Sequence, residues 1–122
     1  MIQKESVLKV ADNSGAKIVQ VICLFGGTGA RFAGLGDIVK VAVKKAIPGA
    51  AVKKGAVVEA VVVRVRKETR RANGTYVRFD DNAVIVIANK EPVGTRVFGP
   101  IASELKSKGC FDKILSLAAQ VV

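Results

Sequence analysis

The sequence predicts a mainly β protein: a small closed barrel of short strands with a helical tail. Three observations predict it. The first three-quarters of the 122 residues is a series of short apolar segments separated by turn signals. Within those segments the apolar residues, mostly Val, either alternate or run unbroken, as they do in half-buried and fully buried strands. The last quarter switches to a helical period. Closure into a barrel removes the open edges that so many Val-rich strands would otherwise present. The length suits a single domain, 1–122, with a modest core.

Ser6 to Val10 reads as a short strand with Leu8 and Val10 on one face, and Asp12-Asn13-Ser14-Gly15 as a turn. Lys17 to Phe25 follows as a strand in which Val19, Val21, Cys23 and Phe25 share the apolar face. Gly26 to Gly36 is a glycine-rich loop. Asp37 to Lys45 is a half-buried strand, because Val39, Val41 and Val43 alternate with Lys40, Ala42 and Lys44. Ile47 to Gly55 is a second loop, with Pro48-Gly49 and Lys53-Lys54-Gly55 as its turns. Ala56 to Arg66 is a long Val-rich strand. Thr75 to Phe79 returns from an Asn73-Gly74 turn, a pair that tolerates positive φ at both positions. Ala83 to Ala88, AVIVIA, is apolar at every position and predicts a strand buried on both faces. Gly99-Pro100 then opens a helix over Ile101 to Lys106, with Pro in its first turn and Gly109 as its stop. Phe111, Ile114, Leu115 and Ala118 follow the i, i+3, i+4, i+7 rule, so a second helix lays its apolar face on the sheet. The helical tail covers about residues 100–119.

Charge narrows the function. Twenty Lys and Arg stand against ten Asp and Glu, a net charge of +10, more than solubility requires of a small domain. That excess points to a nucleic acid or an anionic membrane surface. No apolar run approaches the roughly 20 residues needed to span a bilayer, and the stretch MIQKESVLKV has no apolar signal segment. There is no histidine, and Cys23 and Cys110 lie far apart, so no metal or cofactor is expected. Two buried free thiols are favoured over a disulfide, and the pattern suits a reducing cytoplasm.

Two motifs invite chemistry and fail. Gly27-Thr28-Gly29-Ala30-Arg31-Phe32 has Phe where a dinucleotide fingerprint needs its third Gly, and it leads into a strand. The Gly49 to Gly55 loop misses the phosphate-loop spacing by one residue and lacks a Lys-Ser or Lys-Thr pair. Without histidine the commonest general base is missing, and no serine sits in a nucleophile elbow. No enzyme activity is expected. The glycine-rich loop is either a connector or, the favoured reading, a close-approach loop that offers Arg31 and Phe32 to RNA.

The basic residues carry the signal: Arg31, Lys44, Lys45, Lys53, Lys54, Arg64, Arg66, Lys67, Arg70, Arg71, Arg78 and Arg96. From Ala60 to Asn82 an apolar strand core grows into a cationic arm and doubles back at Asn73-Gly74. Fixed cations on a stiff ribbon displace counterions from phosphate. On one continuous strand Arg64 and Arg66 share a face, so their guanidinium forks bracket successive phosphates. The bland reading of any one of these residues is a solvated charged face. Tyr76 and Phe79 are stacking candidates, although alternate residues of a return strand more often pack inward.

These residues carry a resemblance. Ser6-x-Leu8-x-Val10-Ala11-Asp12-Asn13-Ser14-Gly15-Ala16 is similar to the opening of the universal family of large-subunit ribosomal proteins numbered fourteen, in its bacterial form. The same family is matched by Ala60-Val61-Val62-Val63 with the basic run, Asn73-Gly74, Tyr76, Arg78-Phe79 and Asn82. It is matched again by Gly94 to Ala102 and by Ile114-Leu115-Ser116-Leu117-Ala118. The chain departs from the pattern at Ala30, Glu68, Val93, Ser103 and Lys106. The resemblance implies a five-stranded β-barrel with a projecting β-ribbon and two short C-terminal α-helices. It implies a structural constituent of the large ribosomal subunit that binds large-subunit rRNA and bridges to small-subunit rRNA at the subunit interface. It further implies strand pairing with the neighbouring large-subunit ribosomal protein number nineteen. A ribosome-silencing factor would dock on a surface that includes Thr95, Arg96 and Lys113. Two other classes compete with this reading: a free-standing barrel that binds single-stranded nucleic acid, and an enzyme with a phosphate loop. The first usually offers several exposed aromatics for stacking, and this chain has one Tyr and five Phe.

Overall fold

The computed structural model describes residues 2–24, 32–49, 52–89, 91–107 and 112–122. In chain order the elements are β1 (Val7–Val10), β2 (Ala16–Leu24), β3 (Ile38–Ala46), β4 (Val57–Arg64), β5 (Thr69–Arg70), β6 (Tyr76–Val77), β7 (Ala83–Ala88), β8 (Glu91–Pro92), β9 (Val97–Ile101), α1 (Glu104–Ser107), α2 (Asp112–Leu117) and β10 (Ala118–Val121).

Five strands close a barrel. β1, β2, β3, β4 and β7 pair antiparallel in that order, and β7 returns to β1 in parallel, with Lys9 opposite Ala83 and Val10 opposite Val84. β8 folds back on β7 as a short hairpin. The alternation expected of β3 holds: Val39, Val41 and Val43 are buried, Lys40 and Lys44 exposed. The interior is filled from every wall, by Leu8, Val19, Val21, Val41 and Val86 among others. Ala83 to Ile87 is buried at every position, as an unbroken apolar strand requires, and so is Ala60 to Val63 on β4. Their outer faces are covered by the C-terminal segment, where Ile101, Ala102, Leu105 and Ile114 are fully buried and Ala102 N–H donates to Val63 O at 3.2 Å.

Several expectations need correction. Cys23 is half-buried, not core, because an extra residue in β2 between Val21 and Cys23 shifts the register and sets Cys23 opposite the exposed Lys40. Pro100 lies inside β9 and not in a helix, and α1 begins three residues after Ile101. The second helix ends at Leu117. Ala118 opens β10, which pairs in parallel with β9 from Val97 to Ile101. A partner strand already held by the barrel, bonded through Asp12–Val97 and by Phe98 N–H to Ala11 O at 2.6 Å, overrides the helical pattern there. The long strand from Ala56 is shorter at both ends. It stops at Arg64 after an irregularity opposite Ala83, and Asn82 Oδ1 takes the N–H of Arg66 at 2.8 Å. Phe25, Gly109, Cys110 and Phe111 lie outside the described residues. Among the described residues, no helix is long and apolar enough to cross a membrane.

Candidate nucleic-acid interface

The ribbon is short. Beyond Arg64 the chain leaves the barrel, bends, and pairs again only as Thr69 opposite Val77 and Arg70 opposite Tyr76. The cationic arm is therefore a separate two-stranded unit, not the unbroken extension of β4 that the apolar run suggests. Its loop has three residues, Ala72, Asn73 and Gly74. Gly74 N–H donates to Arg71 O at 3.0 Å, and Arg71 N–H to Thr75 O at 2.8 Å. Only Gly74 takes positive φ, at 84°. Asn73 instead uses its side chain: Oδ1 accepts from Thr75 N–H at 3.1 Å and from Thr75 Oγ1 at 2.6 Å. Val77 is buried and Phe79 half-buried against the core, so the return strand is rooted, while Tyr76 is 63% exposed.

The basic run divides into two sets. Arg66, Lys67, Arg70 and Arg78 are exposed. Lys67 and Arg70 border a groove of about 340 Å³ whose far side is Phe32 to Gly34, the end of the glycine-rich loop. Phe32 is 52% exposed there, and Arg31 lies outside the described residues. Arg78 opens onto a neighbouring groove shared with Asp80 and Asp81, which thins the positive field on that side.

Arg64 and Arg71 form the other set, and both point into the protein. The Arg64 side chain is 11% exposed; its Nη1 donates to Phe98 O at 2.9 Å and to Pro100 O at 3.2 Å. Its Nε lies 3.0 Å from Asp81 Oδ1, a contact off the N–H direction and so an ion pair without a formed hydrogen bond. Arg64 and Arg66 therefore do not share a phosphate-facing surface, because β4 ends at Arg64 and the chain bends at Arg66. Arg71 Nε donates to Glu104 Oε1 at 2.7 Å, and Nη2 to the backbone O of Val122 at 2.6 Å.

A second basic surface lies on the barrel. Lys9, Lys17, Lys44, Lys45 and Lys54, all exposed, rim a groove of about 700 Å³ floored by Val10, Ile18, Ala46, Ile47 and Pro48, with no acidic residue in its lining. Local structure explains the convergence. β3 carries an extra residue opposite Ile18 and Val19, so the adjacent Lys44 and Lys45 both reach solvent. The Lys53 to Ala56 turn is tied back by Gly55 N–H to Val43 O at 2.8 Å, which brings Lys54 beside them. Lys53 is exposed but outside the groove. Lys9 and Lys17 escape a reading of the sequence because each stands alone; only the β1–β2–β3 register gathers them.

Thr95 and Arg96 sit on a loop that the first turn holds. Asn13 Oδ1 accepts from Thr95 N–H at 2.7 Å and Arg96 N–H at 3.0 Å, while its Nδ2 donates to Thr95 Oγ1 at 2.9 Å. Gly94 is required beside it, since a Cβ would stand 2.7 Å from Asn13 Oδ1. The neighbouring Asp12 is buried. Its Oδ1 accepts from Ser14 N–H and Oγ–H, and Oδ2 from Val86 N–H. Burial pushes its carboxyl above the usual aspartate range, against the pull of those three donors. Lys113 is exposed on α2, which packs on β8 and β9, the strands that flank Thr95 and Arg96. Asp12-Asn13-Ser14-Gly15 reads in the sequence only as a turn; its grip on a loop some 80 residues away is a tertiary property.

A closed five-stranded barrel with a basic ribbon and a lysine-rimmed groove is a scaffold for binding polyanions. Among the described residues no group of His, Cys, Asp and Glu is arranged to hold a metal. The family model described as ribosomal protein L14p/L23e matches residues 1–122, the full length of the chain. The chain belongs to the ribosomal protein L14p/L23e family. Membership of the L14p/L23e family makes it a structural constituent of the large ribosomal subunit that binds rRNA and other ribosomal proteins. The L14p/L23e family is structural and non-enzymatic.

Proposed function

We propose that this chain acts as a single, non-catalytic domain that clamps rRNA by charge and shape, in a cytoplasmic ribosome of the bacterial type. The ribbon and the lysine groove serve as two separate phosphate-binding surfaces, one toward large-subunit rRNA and the other toward small-subunit rRNA at the subunit interface. The observation that carries this reading is the pair of surfaces itself. Four exposed cations stand on and beside the ribbon, and five lysines stand on the barrel wall. Of the predicted rRNA contacts, Lys44, Lys45, Lys53, Lys54, Arg66, Lys67, Arg70, Arg78 and Arg96 keep that role. Arg64 and Arg71 are reassigned to holding the ribbon, because their guanidinium groups are already occupied. Side chains of this kind meet phosphates and A-form shape more than base edges. Thr95, Arg96 and Lys113 form the surface for a protein partner such as the ribosome-silencing factor. Large-subunit ribosomal protein number nineteen pairs with an open strand edge.

Binding to isolated large-subunit rRNA should be steeply salt-dependent. With about 6–10 phosphates neutralised, affinity falls on the order of a thousandfold or more between about 50 and 200 mM salt. Filter binding across that range is the check, and a nearly flat titration would refute the electrostatic clamp.

A further inference from the structure

We propose that Glu104 is a positioning residue for RNA binding: an acidic side chain that strengthens the protein's hold on RNA by fixing the direction of the basic ribbon. The inference rests on the reading that the ribbon contacts rRNA.

The ribbon cannot orient itself. It has two paired positions, and a two-stranded hairpin alone in water is marginal. The root is fixed by Val77 and Phe79, but the strand that carries Arg70 toward the turn is held from outside, through Arg71. The guanidinium donates from Nε to Glu104 Oε1 at 2.7 Å and from Nη2 to Val122 O at 2.6 Å. Both side chains of the ion pair are about three-quarters buried, at 24% and 22% exposure, so the contact is shielded from water and salt. The acceptors are themselves rigid. Glu104 stands between the buried Ala102 and Leu105, and Val122 is tied to Ile101 O and Ser103 N–H at 2.9 Å each. Arg71 thus fastens the ribbon to the cover of the barrel, and Arg70, next in the chain, inherits that position.

Coulomb's law alone gives the opposite sign. A carboxylate beside a basic ribbon repels phosphate, so removing it would tighten binding to any polyanion. Positioning affects only an RNA of fixed shape, whose phosphates require the cations at set spacings; a flexible polyanion adapts to either arrangement.

Two conservative variants separate the effects, assayed on in vitro transcribed large-subunit rRNA and on poly(U), with circular dichroism as the fold control. Glu104→Asp keeps the charge but shortens the reach by one methylene. It should bind rRNA about fivefold more weakly and poly(U) as the wild type does, the size expected for one lost charge-assisted hydrogen bond. Glu104→Gln removes the charge but keeps reach and acceptor, and should stay within about twofold of wild type on rRNA. Wild-type rRNA binding by Glu104→Asp, or equal tightening on both RNAs by Glu104→Gln, overturns the inference. Should Glu104→Asp unfold, the Gln variant decides alone by the same criterion. Arg66→Ala/Arg70→Ala is assayed alongside. If that double variant binds rRNA normally, the ribbon is not an RNA contact and both ideas fall; if it is weak while Glu104→Asp is normal, only the role of Glu104 falls.

Discussion

Each strand of the barrel is bonded to neighbours on both sides, and Val61, Val62, Val84, Ile85 and Val86 are completely buried. The ribbon has two paired positions, two buried side chains, Val65 and Val77, and a set of pins: Arg64 at its root and Arg71 near its turn. The barrel is stiff because apolar area is removed from water, a force with no preferred direction. Ionic and hydrogen-bonded contacts of defined geometry hold the ribbon. Burial would serve the ribbon poorly, since an apolar surface large enough to anchor it would displace its exposed cations. Two of its six arginines and lysines are instead given to anchorage, and four remain exposed.

Removing packing from the barrel should have the largest effect. Ile85→Ala deletes three buried carbons at the centre of β7 and should cost about 2–5 kcal/mol in a denaturant titration, with the salt slope of RNA binding by the folded protein unchanged. A loss below about 1 kcal/mol would mean that the wall repacks easily and that the contrast with the ribbon is overstated. Gly99→Ala attacks the ribbon's root and should cost less, about 2–3 kcal/mol. Gly99 has φ 76°, and an added Cβ would collide with Nη1 of Arg64. The guanidinium would then leave Phe98 O, Pro100 O and Asp81 together. In an Arg64→Ala background the same substitution should cost only the backbone strain, about 1 kcal/mol. Equal costs in both backgrounds would show that Arg64 is not a pin.

The barrel was legible in the sequence and the pins were not, for a physical reason. Val39, Val41 and Val43 report burial through local period, and AVIVIA reports burial on both faces by having no polar position at all. The irregularities that turn Cys23 away from the core and gather Lys44 with Lys45 depend on which strand lies opposite, which no local window contains. The same holds within the basic run. Arg64, Arg66, Arg70 and Arg71 look alike in sequence, yet Arg64 meets carbonyls 34 and 36 positions away and Arg71 a carboxylate 33 positions away. Asn73-Gly74 marks a turn correctly, but whether its loop has two residues or three depends on the pairing of Arg71 with Thr75. The tail shows the same limit: Ala118 keeps helical spacing with Ile114, but β9 offers it a strand partner.

A second buried contact tests whether a pin can also be made without an opposite charge. Asp12 holds the first turn to β7 through neutral donors, Ser14 N–H, Ser14 Oγ–H and Val86 N–H, where Arg71 uses a charged partner. Burial raises its carboxyl above 3.8, so the folded protein keeps the proton to higher pH than the unfolded chain does. From the unfolded value upward, the unfolded chain ionises first, and stability falls until pH passes the folded value; above that it is flat. This slope opposes ordinary acid denaturation and should be the smallest effect of the three. Asp12→Asn isolates it. The amide must face at least one backbone or hydroxyl donor with its own NH₂, a constant penalty of about 1–3 kcal/mol. The pH-dependent part is then the difference between wild type and variant, followed by urea unfolding from about pH 3.5 to 7. Wild type should lose its advantage over the variant as pH rises through this window. An advantage that grows instead would mean that the three donors outweigh burial, and that neutral groups pin a carboxylate here as effectively as Arg71 pins the ribbon.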